Sequence, residues 1–152
     1  MGLRYEEFIP GHVWRTAGRM IGESDIMAFA ALSGDFSAIH VDEETARRGP
    51  FGARIAHGPL PMSVAIGLMT QLNLLEGTAV ALLNLNWDFG GVVRIGDTIH
   101  ALVSVKEKRP TRDPARGIVK LGFEAVTQTG ETVQRGVNTV LVLTRAGASR
   151  DA

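Results

Sequence analysis

HGPLPMSVAIGLMTQL, residues 57–72, decides how the rest of the chain has to fold. From Leu60 to Leu72 the stretch is apolar on nearly every face, and a helix of that kind belongs inside a core. Pro59 and Pro61 suit only a first helical turn, where an amide hydrogen is not needed, so the helix is expected to begin at about Gly58. After Gly77 the apolar period falls from helical to two. AVALLNLNWDF (79–89) reads as a mostly buried strand. TIHALVSVKEK (98–108) puts Ile99, Ala101, Val103 and Val105 on one face. GIVKLGFEAVT (117–127) opposes Val119, Leu121, Phe123 and Ala125 to Lys120 and Glu124. ETVQRGVNTVLVLT (131–144) follows a turn at Thr129–Gly130. One buried helix followed by four strands makes an α+β domain in which an antiparallel sheet wraps the helix.

Upstream, HVWRTAGRMI (12–21) reads as an opening strand and ESDIMAFAALSG (23–34) as a helix. Ser24 is expected to cap that helix, Asp25 suits the positive end of its dipole, and Gly34 can supply the left-handed stop. Ile26, Phe29 and Ala30 share one face. VDEETARRGP (41–50) is a short helix capped by Asp42, with Glu43 and Glu44 a turn ahead of Arg47 and Arg48. Between Gly34 and Asp42 the backbone is expected to be irregular, with Asp35 and His40 near the two ends of the connection.

The chain has 152 residues, with 16 basic and 16 acidic side chains and no cysteine. That length suits one domain, taken as residues 1–146 with a flexible tail at 147–152. Balanced charge argues against a partner bound through bulk basicity, so no nucleic acid is expected. The absence of cysteine excludes disulfides and thiolate metal sites and fits a reducing compartment. No apolar run approaches a bilayer span, and the first residues do not resemble a signal peptide. A cytoplasmic protein with no membrane partner is the expectation.

Three groupings could carry chemistry. Asp35 and His40 could hold one water, take a proton from it and return a proton elsewhere. They could equally be a loop-turning acid and a surface imidazole. At the start of the buried helix, Gly58 offers an amide that a carbonyl could approach closely, with His57 before it and Ser63 one turn in. The plainer account makes Gly58 a cap, His57 a satisfied histidine near the core and Ser63 bonded to its own helix. Lys106, Lys108, Arg109, Arg112 and Arg116 crowd a proline-punctuated hairpin that could meet the phosphates of a bulky carrier or simply be solvated. A metal held by Asp35, His40 and His57 is not expected, because the spacing matches no helical zinc pattern.

Taken together, FAALSGDFSAIHVDEETARR (29–48), PFGARIAHGPLPMSVAIGL (50–68) and VRIGDTI (93–99) resemble the MaoC-like dehydratases, the R-specific enoyl-CoA hydratases. The resemblance implies a hotdog fold, with a helical overhang carrying the catalytic loop. It covers nearly the whole chain. The family signature is G-D-x-N-P-x-H followed by H-G. Gly34, Asp35, His40, His57 and Gly58 match it, while Ser37 and Ala38 stand in place of its Asn-Pro. Carried over residue by residue, Asp35 and His40 become the catalytic pair. Gly58 polarises a thioester carbonyl, with His57 and Ser63 beside it. The implied reaction adds water across a trans-2-enoyl-CoA, with no cofactor beyond the carrier. Two alternatives stay open: an acyl-CoA thioester hydrolase on the same fold and, because of the altered loop, a non-catalytic or weakly active acyl-thioester-binding protein. The basic hairpin Lys108, Arg109, Arg112 and Arg116 is a candidate for the carrier's phosphates. A sheet that wraps one helix leaves an open edge, so a homodimer or higher oligomer is expected.

Overall fold

The structure, a computed structural model, describes residues 1–147. The apolar stretch forms helix α4 (Pro59–Thr70), with Gly58 as its N-cap. Leu60, Ala65 and Met69 pack into one core cluster with Val103, Val119, Leu121 and Phe123. Strands β3 (Ala79–Phe89), β4 (Thr98–Pro110), β5 (Arg116–Thr127) and β6 (Thr132–Leu143) form an antiparallel sheet. Its order is β1-β4-β5-β6-β3, with β1 (Val13–Arg15) and β2 (Arg19–Met20) both on β4. The alternating faces read from the sequence are the buried ones: Ile99, Ala101, Val103 and Val105 on β4, and Val119, Leu121, Phe123 and Ala125 on β5. On the opposite face Lys120 pairs with Glu107 at 2.6 Å.

The structure corrects four expectations. Strand β3 is not buried: Leu82 and Leu83 are 55% and 50% exposed. It lies at the sheet edge and, among the described residues, pairs only with β6, so its apolar residues lack the second layer that their composition suggested. The opening strand is two pieces, because buried Thr16 interrupts the ladder. Its amide donates to Ala101 O, and its Oγ1 accepts from Ala101 N at 2.8 Å. Helix α1 (Glu23–Ser33) is capped at Gly22 rather than Ser24, with the Asp25 carboxylate accepting the Gly22 amide at 2.8 Å. Between α1 and α3 (Glu43–Arg48) the chain is not wholly irregular, since Ala38–Val41 makes the single turn α2.

The Asp42 cap of α3 accepts from Thr45 N, as the sequence implied. Gly147, the first residue of the expected tail, donates its amide to Thr144 O at 3.1 Å. The rest of that tail, residues 148–152, lies outside the described residues. Among the described residues no helix is long and apolar enough to cross a membrane.

Candidate active site

The overhang begins where α1 is stopped. Gly34 takes φ 77°, a left-handed turn that costs glycine little, and its amide returns to Ala30 O at 2.8 Å. Buried Ile26 and Ala30 anchor α1 to the core beneath. The Ser33 hydroxyl donates to Phe29 O and receives the Asp35 amide. On the far side, Arg54 ties α1 to α3 by pairing with Glu23 at 2.7 Å and Glu43 at 2.8 Å. The next residue, Ile55, receives His40: Nδ1 lies 2.8 Å from Ile55 O.

These contacts fix the proton on each ring. A carbonyl oxygen only accepts, so His40 Nδ1 carries the hydrogen, and in the neutral ring Nε2 is a bare base. His57 Nε2 lies 2.9 Å from Asp35 O; by the same argument it donates and so pins the backbone of Asp35. His57 is buried at 1% exposure, stacked on His40 with centroids 3.9 Å apart and flanked by Phe29 at 5.0 Å. Its Nδ1 is buried without a partner among the described residues. Asp35 itself is exposed. The Ser37 hydroxyl and amide hold its carboxyl below the usual carboxylate range, with smaller help from His40 and His57.

Atoms of Asp35, His40 and His57 able to bind a proton or a cation lie within 4.8 Å of one another. One water can span such a gap with hydrogen bonds of ordinary length. A metal fits poorly. A bound ion lies in the plane of each imidazole, about 2 Å from its nitrogen. The two rings are stacked, with planes only 28° apart, so their in-plane lone pairs do not converge at that range.

His40 and Gly58 open onto one cleft of about 320 Å³, bounded also by Phe51, Pro61, Phe89 and Gln134. A helix start normally offers several free amides. Here Pro59 and Pro61 have none, and the Leu60 amide goes to His57 O. Among the described residues no protein acceptor takes the Gly58 amide hydrogen, so it is the donor left to the cleft. A Cβ at position 58 would sit 3.2 Å from the Phe89 ring, a tight contact that the ring would have to ease by a few tenths of an ångström. Gln134, buried at 3%, donates Nε2 to Gly58 O at 2.8 Å and braces the turn from β6. Sequence reasoning missed it. The signal was there: Gln134 shares its strand parity with buried Val140 and Val142, a polar residue in an apolar register.

The other candidates fall elsewhere. Ser63 is exposed and its hydroxyl donates to Pro59 O at 2.8 Å, so it serves its own helix. The basic hairpin is at the far end of the sheet. Gln134 pairs with Ala125, whereas Arg116 begins β5, and nine residues of strand span about 30 Å. Lys108 Nζ donates to Tyr5 O and Glu6 O, and Arg116 pairs with Asp113. Within one chain, Lys108, Arg109, Arg112 and Arg116 therefore do not reach the cleft.

Comparisons with known proteins bear on the family and the fold. The family model described as "MaoC like domain" matches residues 7–127. The "3-hydroxybutyryl-CoA dehydratase" of Methylorubrum extorquens is 38% identical over 98 residues, 63% of this chain and 60% of that protein. The chain thus spans less than two thirds of that relative's length. The "(R)-specific enoyl-CoA hydratase" of Rhodospirillum rubrum is 38% identical over 104 residues, 68% of this chain and 70% of the other. The crystal structure of the MaoC-like dehydratase from Rhodospirillum rubrum superposes with a TM-score of 0.83 at 30% identity, covering 95% of this chain and 99% of that one. The sheet wrapped on α4 is the hotdog fold. On the match across residues 7–127, the chain belongs to the MaoC-like dehydratase family.

Proposed function

We propose that the protein adds water reversibly across the double bond of a trans-2-enoyl-CoA thioester, with R specificity. One observation carries this reading. His40, with its Nδ1 committed to Ile55 O, has a carboxylate oxygen of Asp35 within 4.8 Å of a ring nitrogen, and it shares a cleft with Gly58, whose amide has no acceptor among the described residues.

In the forward direction a water rests between Asp35 and His40. One of its protons passes to the pair as the oxygen bonds to C3. The C2–C3 π electrons shift toward the thioester, and its oxygen gains charge beside the Gly58 amide and the positive end of α4. The pair then gives a proton to C2 on the same face. Atoms balance with nothing but water consumed, so no cofactor is called for. Purified protein with crotonyl-CoA tests the reading. Asp35→Asn and His40→Ala should each lower hydration by roughly 10²–10⁴-fold, with no free thiol released at any stage. Full activity in both variants, or release of coenzyme A in place of hydration, overturns it.

The second copy expected for this chain has a natural seat. Val80, Leu82, Leu83 and Leu85 are exposed along the unpaired edge of β3, and open apolar edges invite pairing. Antiparallel pairing of two β3 strands would bring the Ala79 end of the partner to the Phe89 end of this chain. The β4–β5 hairpin lies at the Ala79 end of the sheet, since Ala79 and Gly117 both pair with Val142. The partner's basic hairpin, rather than the chain's own, would then meet the carrier's phosphates.

A further inference from the structure

Ser37 stands at the N-cap of α2. A serine in that place usually turns its hydroxyl onto the first amides of its own helix. This one makes no cap bond. Its hydroxyl donates instead to Asp35 Oδ1 at 2.5 Å, and its amide donates to the same oxygen at 3.1 Å. The short O–H···O⁻ distance is that of a charge-assisted bond. Two donors fill the acceptor capacity of Oδ1, while Oδ2 keeps its own.

We propose that Ser37 is a positioning residue of this site: it occupies Oδ1 of Asp35 from two sides and leaves Oδ2 alone to hold the reacting water beside His40. Asp35 is then held by three hydrogen bonds: His57 donates to its backbone carbonyl, and the Ser37 hydroxyl and amide both donate to Oδ1. Such a carboxylate orients the water and stays charged. The proton shuttle falls to His40 Nε2, whose tautomer Ile55 O enforces. The titratable groups facing Asp35 are His40 from α2 and His57 from the segment before α4, while α1 contributes the neutral Ser33. Where the family signature has asparagine, this chain uses a shorter hydroxyl to grip the acid directly.

The proposal rests on the hydratase reading, so one arm of its test is independent of turnover. The Asp35 carboxyl is titrated by ¹³C NMR in the wild type, Ser37→Ala and Ser37→Thr, and hydration of crotonyl-CoA is followed across pH in the same proteins. Ser37→Ala should move the Asp35 midpoint up, since the carboxylate loses its strongest donor. It should also shift the acid limb of kcat/KM to higher pH and lower kcat roughly tenfold, with KM within about twofold. Ser37→Thr keeps the hydroxyl and should stay near the wild type in both arms. An unmoved Asp35 midpoint with an unchanged kcat in Ser37→Ala overturns the proposal. A raised midpoint in a protein without hydration activity overturns the hydratase reading and leaves the grip on Asp35 standing.

Discussion

The overhang and the sheet are held by different forces. The sheet and α4 are held by burial: Val103, Val119, Leu121 and Phe123 are lost to solvent, and no polar contact is needed among them. The overhang from α1 to α3 buries little beyond Ile26, Ala30 and Ala46. It is held by caps and polar ties instead, including Asp25 on Gly22, Asp42 on Thr45, Arg54 on two glutamates, and His40 and His57 on backbone carbonyls. The division suits the chemistry. Burial gives a rigid floor but offers no proton, whereas polar ties present charged groups at a set angle and keep them wet enough to react.

The largest expected effect lies in the floor. Phe123 is 2% exposed and packs against Trp87 at 5.5 Å. Phe123→Ala should cost about 3–5 kcal/mol of stability, read by urea unfolding with an unchanged m-value. A loss below about 1 kcal/mol would show that burial does not hold the sheet, and the contrast would collapse. Next comes the edge of the same sheet. Leu82 and Leu83 are as apolar as the core yet exposed. Leu82→Lys/Leu83→Lys should leave the strand content intact by circular dichroism, since charged residues are ordinary on strand edges. If β3 seats a second copy as proposed, the sedimenting mass should fall from that of two chains to that of one. An unchanged mass means that β3 is not where two copies meet.

The same contrast governs how much could be read from the sequence. Burial writes a period in β4, β5 and β6 and an all-round apolar run in α4, so these elements were legible, down to the parity of Val119 and Phe123. What a period does not carry is a neighbour. The apolar run of β3 looked buried because the sequence says nothing of which strand ends at the edge. In the overhang, caps were legible where side chain and helix start adjoin, as at Asp42. They were misplaced where glycine took the cap and an acid reached back to it, as at Gly22 and Asp25. Asp35, His40 and Gly58 were legible as candidates from their chemistry and from motif resemblance; the structure sets Asp35 beside His40 and puts His40 and Gly58 on one cleft. The groups that orient them were not legible. Ile55 O and Asp35 O are main-chain atoms that any residue supplies. Gln134 lies 76 positions from the carbonyl that it braces.

The smallest expected effect tests whether the overhang's backbone is already shaped for the proline that it lacks. Ala38 opens α2, where an amide hydrogen has no partner within the helix. Among the described residues it donates to no acceptor elsewhere. The preceding Ser37 has ψ 133°, the extended conformation that proline imposes on its neighbour. Ala38→Pro therefore removes freedom from the unfolded chain and disturbs no bond in the folded one. It should stabilise by about 0.4–1 kcal/mol, a rise in Tm of about 1–4 °C at this chain length, measured at fixed protein concentration. Hydration activity should be retained, because Ser37 keeps both its amide and its hydroxyl on Asp35. A drop in Tm would mean that the turn at Ser37–Ala38 is not the proline-compatible one. The overhang would then depend on freedom at this position, and its polar ties would be holding a moving loop rather than a formed one.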